Sequence, residues 1–311
     1  FGLHIGGYAF PGGPAATAGA LREVAVAAEA AGFDAIYVMD HFRQIPQLGR
    51  GYEDFLESYT TLAYLAAATG RVRLGTLVTG ITYRNVAHLG KIVATLDVLS
   101  GGRAVCGLGL AWFRAEHQAY GWEFPGTAAR YALLEDALRL LPVLWGPGSK
   151  PFQGRVLSVP ETMCYPRPLQ ARVPLVVGGG GERRTLRLAA RYADAANVLG
   201  DLATVRRKAE VLRAHCHDAG RDPAEVSLTH LCTALVAGSD GELAALLERL
   251  RPRREPPDRF AATVNAGTVP DHIGRFRELA EAGVREVMVR LPDLTEPGPL
   301  ARFGDVIAAF R

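Results

Sequence analysis

The stretch at residues 72–112, VRLGTLVTGITYRNVAHLGKIVATLDVLSGGRAVCGLGLAW, leaves the fewest folds open. Residues 72–79 form an apolar, β-prone run, short enough to be a strand buried on both faces. Gly80 and Tyr83-Arg84-Asn85 interrupt it. Leu89, Ile92, Val93, Leu96 and Leu99 then recur at spacings of three and four, which gathers them on one side of a helix. Ser100-Gly101-Gly102 stops that helix, because glycine enters the left-handed cap conformation without steric cost. Residues 103–109 read as a second buried strand. Strand, helix and parallel strand make one βα unit and the start of the next.

The rest of the chain repeats this alternation. Further strands are predicted over residues 2–6, 33–39, 173–178, 194–199, 226–236 and 286–290. Helices are predicted over 17–31, 53–69, 128–145, 182–192, 202–219, 241–250, 270–281 and 300–310, with a short polar helix after Trp112. Residues 146–172 carry five prolines and no sustained period, so they read as an excursion with room for a hairpin. Eight strands alternating with helices predict a (β/α)8 TIM barrel with loop insertions, one domain over residues 1–311. A doubly wound sheet would need GxGxxG between the first strand and helix, partnering an acidic residue after the second. Asp40 ends the second strand, but the glycine fingerprint is missing.

Composition narrows the class. With 311 residues the chain can bury a large core, and 49% hydrophobic against 22% charged residues is an ordinary globular balance. A net charge of +3 gives no argument for nucleic acid, and no apolar stretch approaches the ~20 residues that span a bilayer. The four cysteines form neither a CxxC pair nor a dense framework, so a reduced cytoplasmic protein without a signal peptide is expected. A small-molecule substrate and a homodimer are the expected partners. His215-Cys216-His217 looks like a ligand cluster, but positions i and i+2 diverge on a helix, so no metal site is expected.

In a barrel, functional groups gather at the C-terminal ends of the strands. Asp40-His41 stands at one such end. A histidine there can give or take a proton beside a ligand, or the pair is a loop cap with a surface histidine. Gly178-Gly179-Gly180-Gly181 precedes a helix; successive backbone N–H groups at a helix start bind anions, and four glycines exceed the needs of a turn. Arg183 and Arg184 add positive charge. Glycines at several strand ends suit a flat ring that must approach the backbone closely. Trp112 either shapes an apolar substrate wall or packs under its loop as core. Residues 249–259 hold five arginines among prolines and read as a solvated loop.

TLDVLSGGR at residues 95–103, GLGLAW at 107–112, Asp40-His41-Phe42 upstream and the run Gly178 to Gly181 downstream carry a resemblance. In this order and spacing they resemble the bacterial luciferase-like flavin and deazaflavin oxidoreductases, in the branch that uses coenzyme F420. The resemblance covers nearly the whole chain. It implies hydride exchange between the deazaflavin and a small organic substrate, with an FMN-dependent monooxygenase or a non-catalytic flavin-binding barrel as alternatives. It further implies that Asp40 contacts the cofactor ring and His41 lies beside the reactive carbon. The backbone of Leu77, Val78 and Thr79 would press on the ring through a cis non-prolyl peptide, at Leu77–Val78 or Val78–Thr79. Gly109, Leu110 and Ala111 would add cofactor contacts, with the phosphate on Gly178, Gly179, Gly180 and Gly181. The arginine-rich loop could meet the acidic polyglutamyl tail of the deazaflavin. One departure matters: the family's glucose-6-phosphate dehydrogenase has a glutamate where Trp112 stands and a tryptophan near Ile45, which puts sugar-phosphate oxidation in doubt.

Overall fold

Eight short strands, each covered on both faces, close on themselves in the computed structural model, which describes residues 1–311. They are β1 (Gly2–Ile5), β2 (Ala35–Val38), β3 (Arg73–Thr76), β4 (Ala104–Gly109), β5 (Leu175–Gly178), β6 (Ala195–Val198), β7 (Ser227–Thr233) and β8 (Val284–Arg290). All pair in parallel, β1 with both β2 and β8, and the ring closes through β3 and β4. Eight helices follow the strands: α1 (Pro14–Ala31), α2 (Ser58–Ala68), α3 (Val86–Leu99), α4 (Thr127–Trp145), α5 (Thr185–Tyr192), α6 (Leu202–Asp218), α7 (Val269–Glu281) and α8 (Gly298–Ala308). This is the expected (β/α)8 barrel.

Alternation of side chains along each strand makes two apolar layers. Outward residues such as Leu3, Ile5, Ile36, Val38 and Leu74 pack against the helices. Inward residues Ala35, Tyr37, Leu77, Val105, Val176, Ala195 and Met288 fill the barrel itself. Each such burial contributes roughly 1.5–3 kcal/mol for a Val- or Leu-sized side chain.

The TLDVLSGGR segment holds the closed ring together at its base. Asp97, fully buried on α3, accepts from the N–H groups of Leu169 (2.6 Å) and Gln170 (3.1 Å) and from Gln170 Nε2 (2.6 Å). Arg103 donates to the carbonyls of Ser100, Val72, Ala66 and Thr69. A buried charge is tolerable where it is bonded on every side, and both of these are.

The differences from the sequence reading lie at element edges. The second helix begins at Ser58 and not at residue 53, because Glu57 stands outside it as a cap and accepts from the Thr60 N–H at 2.7 Å. The fifth helix begins at Thr185, since a turn over residues 182–184 intervenes after the glycines. The predicted seventh strand is two pieces: β7 stops at Thr233, and Val236–Ala237 pairs with Gly267–Thr268 outside the ring. Within the arginine-rich segment, Pro257–Thr263 is a short helix that the prolines disguised. The excursion does hold a hairpin, Phe152–Gln153 against Ser158–Val159.

Candidate active site

The C-terminal mouth collects side chains from β1 to β5 and β8. After β2, Asp40 is 2% exposed, and Arg84 grips its carboxylate with both arms, Nη1 to Oδ2 at 2.6 Å and Nη2 to Oδ1 at 2.9 Å. Ser58 Oγ donates a third bond at 2.7 Å. Burial alone would lower the Arg84 pKa, but the Asp40 charge outweighs it and pushes it above the usual arginine value. Asp40 is thus a tethering group under the mouth wall, with its oxygens committed.

His41, the next residue, is tied to a carboxylate that sequence reasoning missed. Its Nδ1 lies 3.0 Å from Oε2 of Glu116, which sits in the short helix Arg114–Ala119 and is fully buried. Glu116 Oε1 accepts from the Phe42 N–H at 2.8 Å, and the Tyr83 hydroxyl donates to Oε2. Burial raises the Glu116 pKa, yet the bonds from His41, Tyr83 and Phe42 outweigh it and hold the carboxyl below its usual range. Burial and then Glu116 push the Tyr83 phenol far up, so it stays protonated as a donor. An ionised Glu116 fixes the proton of His41 on Nδ1 and leaves Nε2 without a protein partner. A lone glutamate in a polar hexapeptide, 75 residues from its partner, carries no pattern that a sequence reader could weigh.

Aromatic rings wall this group. Trp112 edges His41 at 5.7 Å, stacks on Phe113 at 5.0 Å and is 52% exposed, so it forms the rim and is not core. Tyr83, Phe42, Tyr120 and Trp122 continue the wall behind it.

The Leu77–Val78 peptide is cis, at one of the two bonds expected. Val78 fills the space that three glycines leave: a Cβ on Gly109 would stand 2.5 Å from Val78 Cγ2, and one on Gly178 2.8 Å from both Val78 methyls. A Cβ on Gly107 would meet the Thr76 carbonyl at 2.0 Å and Val78 Cγ1 at 3.1 Å. These glycines admit the bulge into the barrel. Thr79 turns away; its hydroxyl bonds Tyr59 (2.7 Å) and Thr76 (2.9 Å) in the barrel wall. Beyond Gly109 and Leu110, Ala111 takes a φ of 60°, a strained value for a residue with a Cβ. Arg130 holds that turn by donating to the Leu110 and Ala111 carbonyls.

Across the mouth, the Gly179 N–H donates to the Asn197 carbonyl at 3.0 Å, but those of Gly180, Gly181 and Glu182 donate to no protein acceptor. Lys208 donates to the Gly180 carbonyl and, at 2.9 Å, to Glu182. His215 Nε2 bonds the Glu182 carbonyl at 2.7 Å while Cys216 faces the core, so the His215-Cys216-His217 run is split between two environments.

No helix is long and apolar enough to cross a membrane. The family described as luciferase-like monooxygenase matches residues 6–290. The F420-dependent glucose-6-phosphate dehydrogenase of Kineococcus radiotolerans is 38% identical over 165 residues, 52% of this chain and 47% of that protein. A pyrimidine monooxygenase of Pseudomonas syringae pv. syringae is 32% identical over 176 residues, 56% of this chain and 48% of that one. The aligned stretches span about half the length of these curated relatives. An F420-dependent secondary alcohol dehydrogenase, solved with an F420-acetone adduct, superposes with a TM-score of 0.79 at 20% identity, covering 100% of this chain and 98% of that one. At that identity the likeness is one of fold.

Proposed function

Since the chain belongs to the luciferase-like monooxygenase family, we propose that it is a coenzyme F420-dependent oxidoreductase acting on a small organic substrate. The observation that carries this reading is the His41–Glu116–Tyr83 group at the mouth, a proton-handling device beside an apolar bulge. The deazaflavin, when bound, supplies a ring carbon that gives or takes hydride. The residues present fit such a group. Three successive unpaired N–H groups at Gly180, Gly181 and Glu182 suit a phosphate, and the Val78 bulge offers a flat apolar seat. Leu110 and Ala111 would flank the ring.

The chain's own part is positioning and one proton. Glu116 orients His41 and holds its proton on Nδ1, so His41 Nε2 can take a proton from a substrate hydroxyl and return it in reverse. Asp40 acts through Arg84, which it locks against Glu57 at 2.7 Å, fixing the loop that carries His41. Trp112 and Phe113 keep water from the exposed edge of the imidazole.

Support for F420 comes also from the Kineococcus relative, and the second reading, an FMN-dependent monooxygenase, draws on the Pseudomonas one. A side-by-side binding titration separates them. Deazaflavin is expected to bind tightly and FMN weakly; equal or stronger FMN binding reverses the assignment. Anaerobic turnover with the deazaflavin removes the monooxygenase.

A further inference from the structure

Arg290 ends β8 on the inward side of the barrel, above Met288 of the interior core. Its Cδ stands 2.9 Å from where a Cβ on Gly6 would be, so the side chain lies across the end of β1 into the mouth. The Nε atom is buried with no acceptor, and the guanidinium makes no ion pair. Four other arginines drawn into this fold are answered: Arg84 by Asp40 and Glu57, Arg103 and Arg130 by carbonyls, Arg302 by Asp293. Arg43 shares the missing Nε acceptor, but its guanidinium covers the Phe113 ring at 5.1 Å.

Beside Arg290 lies His4. The β1–β8 register pairs Leu3 with Val289, and one step further brings His4 level with Arg290. His4 is 1% exposed, and neither ring nitrogen meets a partner at hydrogen-bonding geometry. Burial first, then the Arg290 charge, pushes its pKa down to about 3 against the pull of the Leu77 backbone beside it, so it is a neutral ring. Burial likewise lowers Arg290; the Cys232 thiol beside it, pushed up to about 12, supplies no charge. An unmet buried donor is costly, and more so when charged. Two of them side by side at the floor of a ligand-binding mouth mark the place of an absent acceptor.

We propose that Arg290 and His4 form an anion-binding subsite that takes the carboxylate or phosphate of the substrate. The planar guanidinium fork suits either group bidentately, and neutral His4 donates to it without adding or removing charge. The substrate class of the proposed oxidoreductase is then an organic acid or phosphate ester, a statement that rests on the redox reading of the mouth.

The test uses the cofactor-free chain with succinate and inorganic phosphate as probes, followed by calorimetric titration. One equivalent of succinate is expected to bind the wild type, or of phosphate beyond any that the N–H groups of Gly180 and Gly181 take up. Arg290→Met should weaken that binding tenfold or more, and His4→Phe should weaken it less. If Arg290→Met does not fold, Arg290→Lys keeps the charge without the fork and should still lose several-fold. A wild type that binds neither probe, or a folded variant that binds as well as wild type, overturns the subsite. Repeating the titration with saturating deazaflavin identifies the anion's owner. Unchanged probe binding supports the substrate, whereas competition assigns the subsite to the cofactor and overturns the substrate class. If deazaflavin fails to bind while the probe binds through Arg290, the redox reading falls and the subsite stands.

Discussion

At the scale of single residues, His41 and Glu116 divide one task, and kinetics can tell their parts apart. His41→Ala should lower kcat by ~10² to 10⁴ while leaving cofactor affinity nearly unchanged, because the lost group moves a proton and does not hold the ring. Glu116→Gln should act on His41 at a distance. An amide keeps the size but can present either its oxygen or its nitrogen to Nδ1, so the imidazole loses its fixed tautomer and kcat should fall roughly tenfold or more with cofactor affinity unchanged. An unchanged kcat in Glu116→Gln would leave the glutamate a merely structural role. Asp40→Ala should instead weaken cofactor binding first, by releasing Arg84 and loosening the loop. Of these residues the sequence made Asp40 and His41 visible, because an acid and a histidine at a strand end stand out against an apolar run. It hid Glu116, since burial and a partner so far upstream leave no periodic trace. The direction of Asp40 was hidden too: nothing in its neighbours says that Arg84 and Ser58 consume its oxygens.

Among elements, the turn between β5 and α5 and the contact between α3 and the excursion make separable predictions. Gly179 has a φ of 127°, so any side chain there strains the backbone. Gly179→Ala should cost about 1 kcal/mol of stability in a denaturant titration and keep cofactor binding. Gly179→Asp should suffer the same strain and also lose binding, because its carboxylate repels a phosphate at the neighbouring N–H groups. Equal binding in both variants would reduce the run to a turn. Asp97→Ala leaves the N–H groups of Leu169 and Gln170 unmet and should cost roughly 3 kcal/mol, measured the same way. The order of strands and helices was legible because apolar runs end in glycine or proline at almost every boundary. Edges misread where capping residues mimic helix formers, as with Glu57, or where prolines open a helix, as at Pro257.

For the molecule as a whole, buried histidines set its response to acid. His4 and His272 are held neutral, at about 3 and about 4, chiefly by burial, and burial lowers His230 as well. These folded values lie below the usual 6.5, so as pH falls through 6.5 the unfolded chain takes up protons that the folded chain refuses. Stability is full above that point and declines by roughly 1.4 kcal/mol per pH unit for each such histidine, until its folded pKa is reached. The urea midpoint should therefore fall between pH 6.5 and 5, before most carboxylates titrate, and His272→Gln should flatten the slope. A midpoint constant over that window would mean that these rings accept protons in place. The wedge of Val78 among Gly107, Gly109 and Gly178 has a different kind of consequence. Three glycines on two strands and one valine in the bulge after β3 share one small volume, so none of them can grow by itself without a collision. Descendants of this chain should inherit the set together, and a lineage that replaced Val78 by a smaller residue would be the one free to let a glycine drift.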